Sequence, residues 1–149
     1  SLSKSFFLKR GPNEVLAANL HNFMLHKCKS NKTNRIWTTF KQYKNVIGGN
    51  TYKNQWLACN TKATNEYRSA SAVAYMLNLY PNPIIVKVLA YKDASLNQEL
   101  YALSEMVQFI WRSRIRDKQT IDLYVPSSRM RSLLIRWLDD EFEDKQLVA

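Results

Sequence analysis

Three side chains spaced four apart, Gln108, Arg112 and Arg116, form the most chemically pointed pattern in this sequence. On a continuous helix that spacing puts them on one stripe. A planar guanidinium holds a phosphate through two parallel hydrogen bonds and stays charged at any cellular pH, so the stripe suits phosphate or developing phosphoryl charge. The same residues equally suit a solvated helix face whose positive end complements the helix C-terminus. Arg114 falls outside the stripe. A continued helix would aim it near the middle of the apolar face, so either the helix unwinds around Ser113, or Arg114 snorkels, or it pairs with an acid such as Glu105 or Asp122.

A second polar run, Cys59-Asn60-Thr61-Lys62-Ala63-Thr64-Asn65-Glu66-Tyr67-Arg68, follows a short apolar segment. Loops at the carboxyl ends of strands and the N-termini of helices both present groups suited to anions. On that reading Thr61, Lys62, Thr64, Asn65 and Arg68 contact phosphate or sugar. On the alternative reading Thr64 is only an N-cap with Glu66 in the first turn. Upstream, Lys41, Lys44 and Lys53 interleave with Trp37, Phe40, Tyr43 and Tyr52, a pattern that suits base stacking beside phosphate contacts and suits a core equally well.

Other constellations point to little chemistry. His21, His26 and Cys28 share a helical segment, but their offsets do not bring all three to one face, so no metal site is expected. Asp139, Asp140, Glu141, Glu143 and Asp144 form an acidic run of the kind that ends as a solvated tail. Ser127-Ser128 has no histidine nearby in sequence and is better placed to cap a helix than to act as a nucleophile. A nuclease is disfavoured, because no clustered acids and lysine accompany a strand.

These residues need elements to position them. Residues 1–12 form a basic arm or an edge strand that stops at Gly11-Pro12. A helix starts from Asn13 and runs to about Ser30, burying Leu16, Leu20, Phe23 and Met24. The segment Ile36–Phe40 fits a short helix or a strand, and Gln55–Cys59 reads as a short buried strand. A helix is expected from about Thr64, with Tyr67, Ala70, Ala74 and Leu77 on one face. Pro81-Asn82-Pro83 breaks the chain, and periodicity leaves Ile84–Tyr91 open between strand and helix. The helix from Gln98 is the clearest, with Leu100, Leu103, Met106, Val107, Ile110 and Trp111 in one apolar stripe. A strand over Thr120–Val125 ends at Pro126, and Ser127 or Ser128 caps a last helix that buries Met130, Leu133, Leu134, Trp137 and Leu138.

Strands and helices in alternation, joined by short connections, predict an α/β fold, a small sheet covered by helices. The expected organisation is a basic arm over 1–12, a single α/β domain over 13–138 and an acidic tail over 139–149. The length of 149 residues, 46% of them apolar, suffices for one buried core. The net charge of +10 is unevenly spread: residues 1–60 hold ten basic residues and one acid, Glu14, while residues 61–149 hold twelve and eleven. A basic half of this kind favours partners such as DNA or RNA. Two cysteines at unframed spacing suit a reducing compartment, and neither a leader pattern nor an apolar run near the roughly 18 residues of a membrane span occurs, so a cytoplasmic protein that does not enter membranes is expected.

The two polar segments together, Asn60–Tyr67 followed by Gln108, Arg112 and Arg116, resemble the fifth and sixth motifs of DEAD/DEAH-like, superfamily-two helicases of phage and mobile-element type. The resemblance spans about Trp37 to Leu138. It implies a RecA-like second lobe, in which Thr61, Thr64 and Asn65 couple nucleic acid to the lobes and Gln108, Arg112 and Arg116 sense the nucleotide. Two positions depart from that pattern: Trp111 stands where glycine is usual, and the second arginine is expected at Ile115 rather than Arg116. The 149 residues contain no Gly-x-x-x-x-Gly-Lys-Ser/Thr loop and only three glycines. No cofactor is therefore expected on this chain alone, with ATP and Mg entering only if a first lobe, or a partner protein, supplies the catalytic half. At most the chain is part of a nucleic-acid-dependent NTPase or helicase. The rival expectation is a small phage or mobile-element accessory protein that meets a protein, or a protein–nucleic-acid complex, through its basic face.

Overall fold

The computed structural model describes residues 10–61 and 65–139. Its centre is a parallel sheet of three strands, β1 (Arg35–Thr38), β2 (Ala72–Tyr75) and β3 (Asp122–Tyr124), in spatial order β1-β2-β3. Arg35 pairs with Ala72 and Thr38 with Tyr75, while Ala72 pairs with Asp122 and Ala74 with Tyr124. The free edge of β1 gains one more parallel bridge, Trp37 to Trp56, closed by the Leu57 N–H donating to the Trp37 carbonyl at 2.9 Å. The strand expected over Gln55–Cys59 is therefore reduced to this single bridge, with a 3₁₀ turn over Lys53–Gln55 before it.

Over the described residues from Asn65 onward, the helix expected from about Thr64 does not form. Asn65 to Ser69 forms a turn, and Ala72–Tyr75 is the central strand. Residues 71–78 are all buried, because β2 has strands on both edges and helices on both faces. Such a strand carries a continuous apolar run, and Ala70, Ala74 and Leu77 happen to fall at helical spacing within it.

Alternate residues along the strands face two cores. On one face Ile36, Val73, Tyr75 and Leu77 pack with α4 (Gln98–Ile110) and α5 (Ser128–Leu138). On the other, Trp37, Ala72, Ala74 and Met76 pack with α1 (Arg10–Asn22), whose π-helical continuation Phe23–Lys27 adds Phe23 and Met24, and with Ile47 of α2 (Lys44–Gly48). Helices on both faces of a parallel sheet fulfil the expected α/β architecture. α1 begins at Arg10, upstream of the expected Asn13, because proline is tolerated in a first helical turn where its missing N–H has no partner to lose.

Capping fixes the later helices. The Asn97 side chain accepts from the Glu99 and Leu100 N–H groups at the start of α4, and Ser127 accepts from Met130 N–H at the start of α5. Ile84–Tyr91 resolves as helix α3 (Pro83–Tyr91), with Asn82 as its cap and proline at its first position. α3 buries none of its residues and leaves Ile84 68% and Tyr91 92% exposed. Among the described residues, no helix is long and apolar enough to cross a membrane. The basic arm over 1–9 and the acidic tail from 140 onward lie outside the described residues.

Candidate functional site

α4 ends at Ile110, and the chain then turns rather than continuing as helix. The Ser113 hydroxyl donates to the Ile110 carbonyl at 2.6 Å, and Ser113 accepts from Ile115 N–H to cap a 3₁₀ turn over Arg114–Asp117. This unwinding decides among the three alternatives for Arg114: its Nε donates to the Thr120 carbonyl at 2.7 Å, and its backbone N–H donates to Ala70.

Unwinding also separates the roles of the two remaining arginines. Arg112 is 9% exposed, and its guanidinium donates to the carbonyls of Cys59, at 3.0 Å, and Thr61 while lying 5.4 Å from the Phe109 ring centre. A buried cation needs such partners, so Arg112 clamps the second polar segment onto the end of α4. Arg116 remains partly exposed and donates from Nη2 to the Asn65 side-chain oxygen at 2.6 Å. Gln108 is exposed and donates to the Ser104 hydroxyl at 3.2 Å.

The two polar segments thus meet around one open cavity of about 650 Å³, whose walls include Thr61, Glu105, Gln108, Trp111, Arg112 and Arg116, with Trp137 entering from α5. Cys59 also lines it, its sulfur 3.6 Å from the Tyr75 hydroxyl. Burial pushes the Cys59 thiol up and the Tyr75 hydroxyl behind it well up, so both groups stay neutral at physiological pH.

The other expected contacts lie elsewhere. Arg68 pairs through both carboxylate oxygens with Asp117, at 2.5 and 2.7 Å, in a shallower polar depression that also includes Asn34 and Asn65. That pairing holds the Asp117 carboxyl below its ordinary range. Lys41 and Lys53 are exposed, and Lys44 lies 4.7 Å over the Trp56 ring; none of the three lines the cavity. Lys62 and Thr64 lie outside the described residues. His21 Nδ1 meets the Tyr52 hydroxyl at 2.9 Å, while Cys28 donates to the Met24 carbonyl. Among the described residues, no three His, Cys, Asp or Glu gather as a metal-binding group.

Sequence reasoning placed Thr61, Gln108, Arg112 and Arg116 together only through a motif resemblance, and it assigned Trp137 to the core. Nothing local marks Trp137 as a wall of the site. It arrives there because α5 packs against α4 and brings its ring to 6.4 Å from that of Trp111.

A family model described as the YonV C-terminal Rossmann-like domain matches residues 1–138. The chain is 44% identical over 142 residues to the SPbeta prophage-derived uncharacterized protein YonV of Bacillus subtilis (strain 168), an alignment that takes in 95% of this chain. It spans 35%, about a third, of that relative's length. No solved structure shows a significant match.

Proposed function

This chain belongs to the YonV C-terminal Rossmann-like domain family, and from that premise we propose that it serves as a helicase-like second lobe, engaging nucleic acid and the phosphates of a nucleotide. One observation carries this reading: Arg112 clamps Cys59 and Thr61 while Arg116 holds Asn65, so two segments remote in sequence share one open, arginine-bearing cavity. Arg112, committed to carbonyl oxygens, positions the loop. Arg116 and Gln108 are the groups that meet phosphate, since a guanidinium with five N–H donors can hold Asn65 and an anion together. Lys41 and Lys53, exposed but not lining the cavity, add to the positive charge that favours the backbone of DNA or RNA.

ATP with Mg would supply the triphosphate and the charge neutralisation for phosphoryl transfer. The residues present suit only a contribution to that site, because the 149 residues lack a glycine-rich phosphate loop. In this reading the catalytic half comes from a first lobe on the same or another polypeptide.

The test is a titration of labelled single-stranded DNA and RNA with this chain over a range of salt concentrations. Affinity is expected to fall steeply with salt, and Arg116→Ala to reduce the log–log slope by about 1. Binding that ignores salt and Arg116 overturns the proposal.

The exposed apolar face of α3 favours a second reading, an accessory domain covered by another part of a longer polypeptide such as its relative possesses. Stoichiometric capture of the remaining two-thirds of that relative after nuclease treatment, abolished by Val88→Glu, with no oligonucleotide binding, would establish it instead.

A further inference from the structure

Trp111 is the first residue beyond α4, with its N–H donating to the Val107 carbonyl at 2.8 Å. The residue is 47% exposed, and its indole meets that of Trp137 edge-to-face, with an interplanar angle of 75°. A T-shaped contact uses at most one face of either ring. Trp111 therefore keeps an aromatic face for another partner, and that partner would lie in the cavity it lines with Gln108, Arg112 and Arg116. The same two tryptophans border a wholly apolar cleft of about 150 Å³ between α4 and α5, lined also by Ile110, Ile115 and Leu134. The corner thus offers, within one wall, a flat apolar platform and a cationic group.

Trp111 leaves nearly half of its surface in water at the rim of the cavity, apolar area that a ligand seated there would cover. A cavity of about 650 Å³ falls in the range, roughly 300 to 1,000 Å³, that small ligands occupy. Its wall also includes the Glu105 carboxylate, which repels a bare anion and accepts hydrogen bonds from a ligand's amino group. Aromatic platform, guanidinium and carboxylate together match a base–phosphate unit.

Building on the nucleic-acid reading above, we propose that Trp111 is a stacking platform for a nucleobase bearing an exocyclic amino group, with the attached phosphate held by Arg116 and the amino group facing Glu105. The base–phosphate unit comes either from a free nucleotide or from a single strand, and the two sources are told apart by experiment.

The experiment compares the wild-type chain with Trp111→Leu, Trp111→Phe and Arg116→Ala, each checked by thermal melting. The probes are AMP, a single-stranded adenine oligonucleotide and an abasic strand of equal length and charge. Stacking predicts that Trp111→Leu weakens binding of the adenine strand about ten-fold, spares the abasic strand, and is rescued in large part by Trp111→Phe. Arg116→Ala weakens both strands. If AMP shows the same Trp111 dependence at comparable affinity, the base comes from a free nucleotide; if only the strand does, it comes from nucleic acid. Equal affinities of wild type and Trp111→Leu for all three probes, with Arg116→Ala still weakening the strands, overturn the platform and leave the phosphate reading standing. No binding of any probe overturns both.

Discussion

The two faces of the sheet are built from the same three strands yet are packed differently. On the α1/α2 face β2 presents small side chains, Ala72 and Ala74, and the space is filled by Trp37, fully buried, with its indole N–H donating to the Tyr52 carbonyl at 2.8 Å. The fit is close enough that a Cβ on Gly48 would lie 2.2 Å from the Trp37 ring, so only glycine lets α2 approach there. Phe23 stacks on Tyr124 and completes this face. On the α4/α5 face the larger Val73, Tyr75 and Leu77 meet Phe109, Met106 and Leu133, and the far end of the layer opens into the arginine-bearing cavity. A closed face can be spent on stability, whereas an open corner held by a buried guanidinium is where a ligand can reach both layers.

The sharpest way to break this contrast is Trp37→Ala. Removing a buried indole from the closed face is expected to cost about 3–5 kcal/mol in a denaturant titration. Oligonucleotide affinity per folded molecule should stay unchanged, and a selective loss of affinity would mean that the closed face also serves binding. Arg112→Ala tests the open corner. It orphans the Cys59 and Thr61 carbonyls and is expected to cost about 2–3 kcal/mol while also lowering strand affinity, because the loop loses its anchor. Arg112→Lys should recover little of either, since an ammonium cannot span both carbonyls as a fork does.

The smallest expected effect lies beside that corner, at Arg68 and Asp117. The Arg68 hydrogen bond holds the Asp117 carboxyl below its ordinary range, so this pair contributes fully above about pH 4 and its contribution is lost as pH falls through the depressed folded value. The stabilities of wild type and Asp117→Asn should therefore converge on acidification. The difference at neutral pH should shrink with salt, as expected of an exposed pair. A gap that instead widens in acid would show that Asp117 has another partner.

Much of the architecture was legible before any coordinates. α4 and α5 announce themselves through apolar periodicity and through Asn97 and Ser127 at the cap positions, all signals that act over three or four residues. Even there the stripe was imperfect: Ala102 and Phe109 are buried, while Trp111 is about half exposed and Leu138 largely exposed. β2 was misread as helix because a strand buried on both faces loses the alternation that identifies strands at a surface. The resemblance set Asn60–Tyr67 beside Gln108, Arg112 and Arg116 and treated the two arginines as equivalent, whereas in the fold Arg112 holds the Cys59 and Thr61 carbonyls and Arg116 the Asn65 side chain.

By itself the sequence determined the α/β class, the starts of α4 and α5 at their cap residues, the concentration of positive charge in the first sixty residues and the lack of a phosphate loop in these 149 residues. Each of these is a local or additive property, set by neighbours along the chain or by a count. Tertiary structure alone decided that Arg112 is buried against Cys59 and Thr61, 53 and 51 residues away, while Arg116 stays partly exposed beside Asn65, and that Trp137 joins Trp111 at the cavity wall. The reason is physical: the helix unwinds at Ser113, where a side-chain hydrogen bond and the docking of Arg114 N–H onto the Ala70 carbonyl outweigh continuation of the turn, and that choice depends on the segment leading into β2 being brought alongside by the fold.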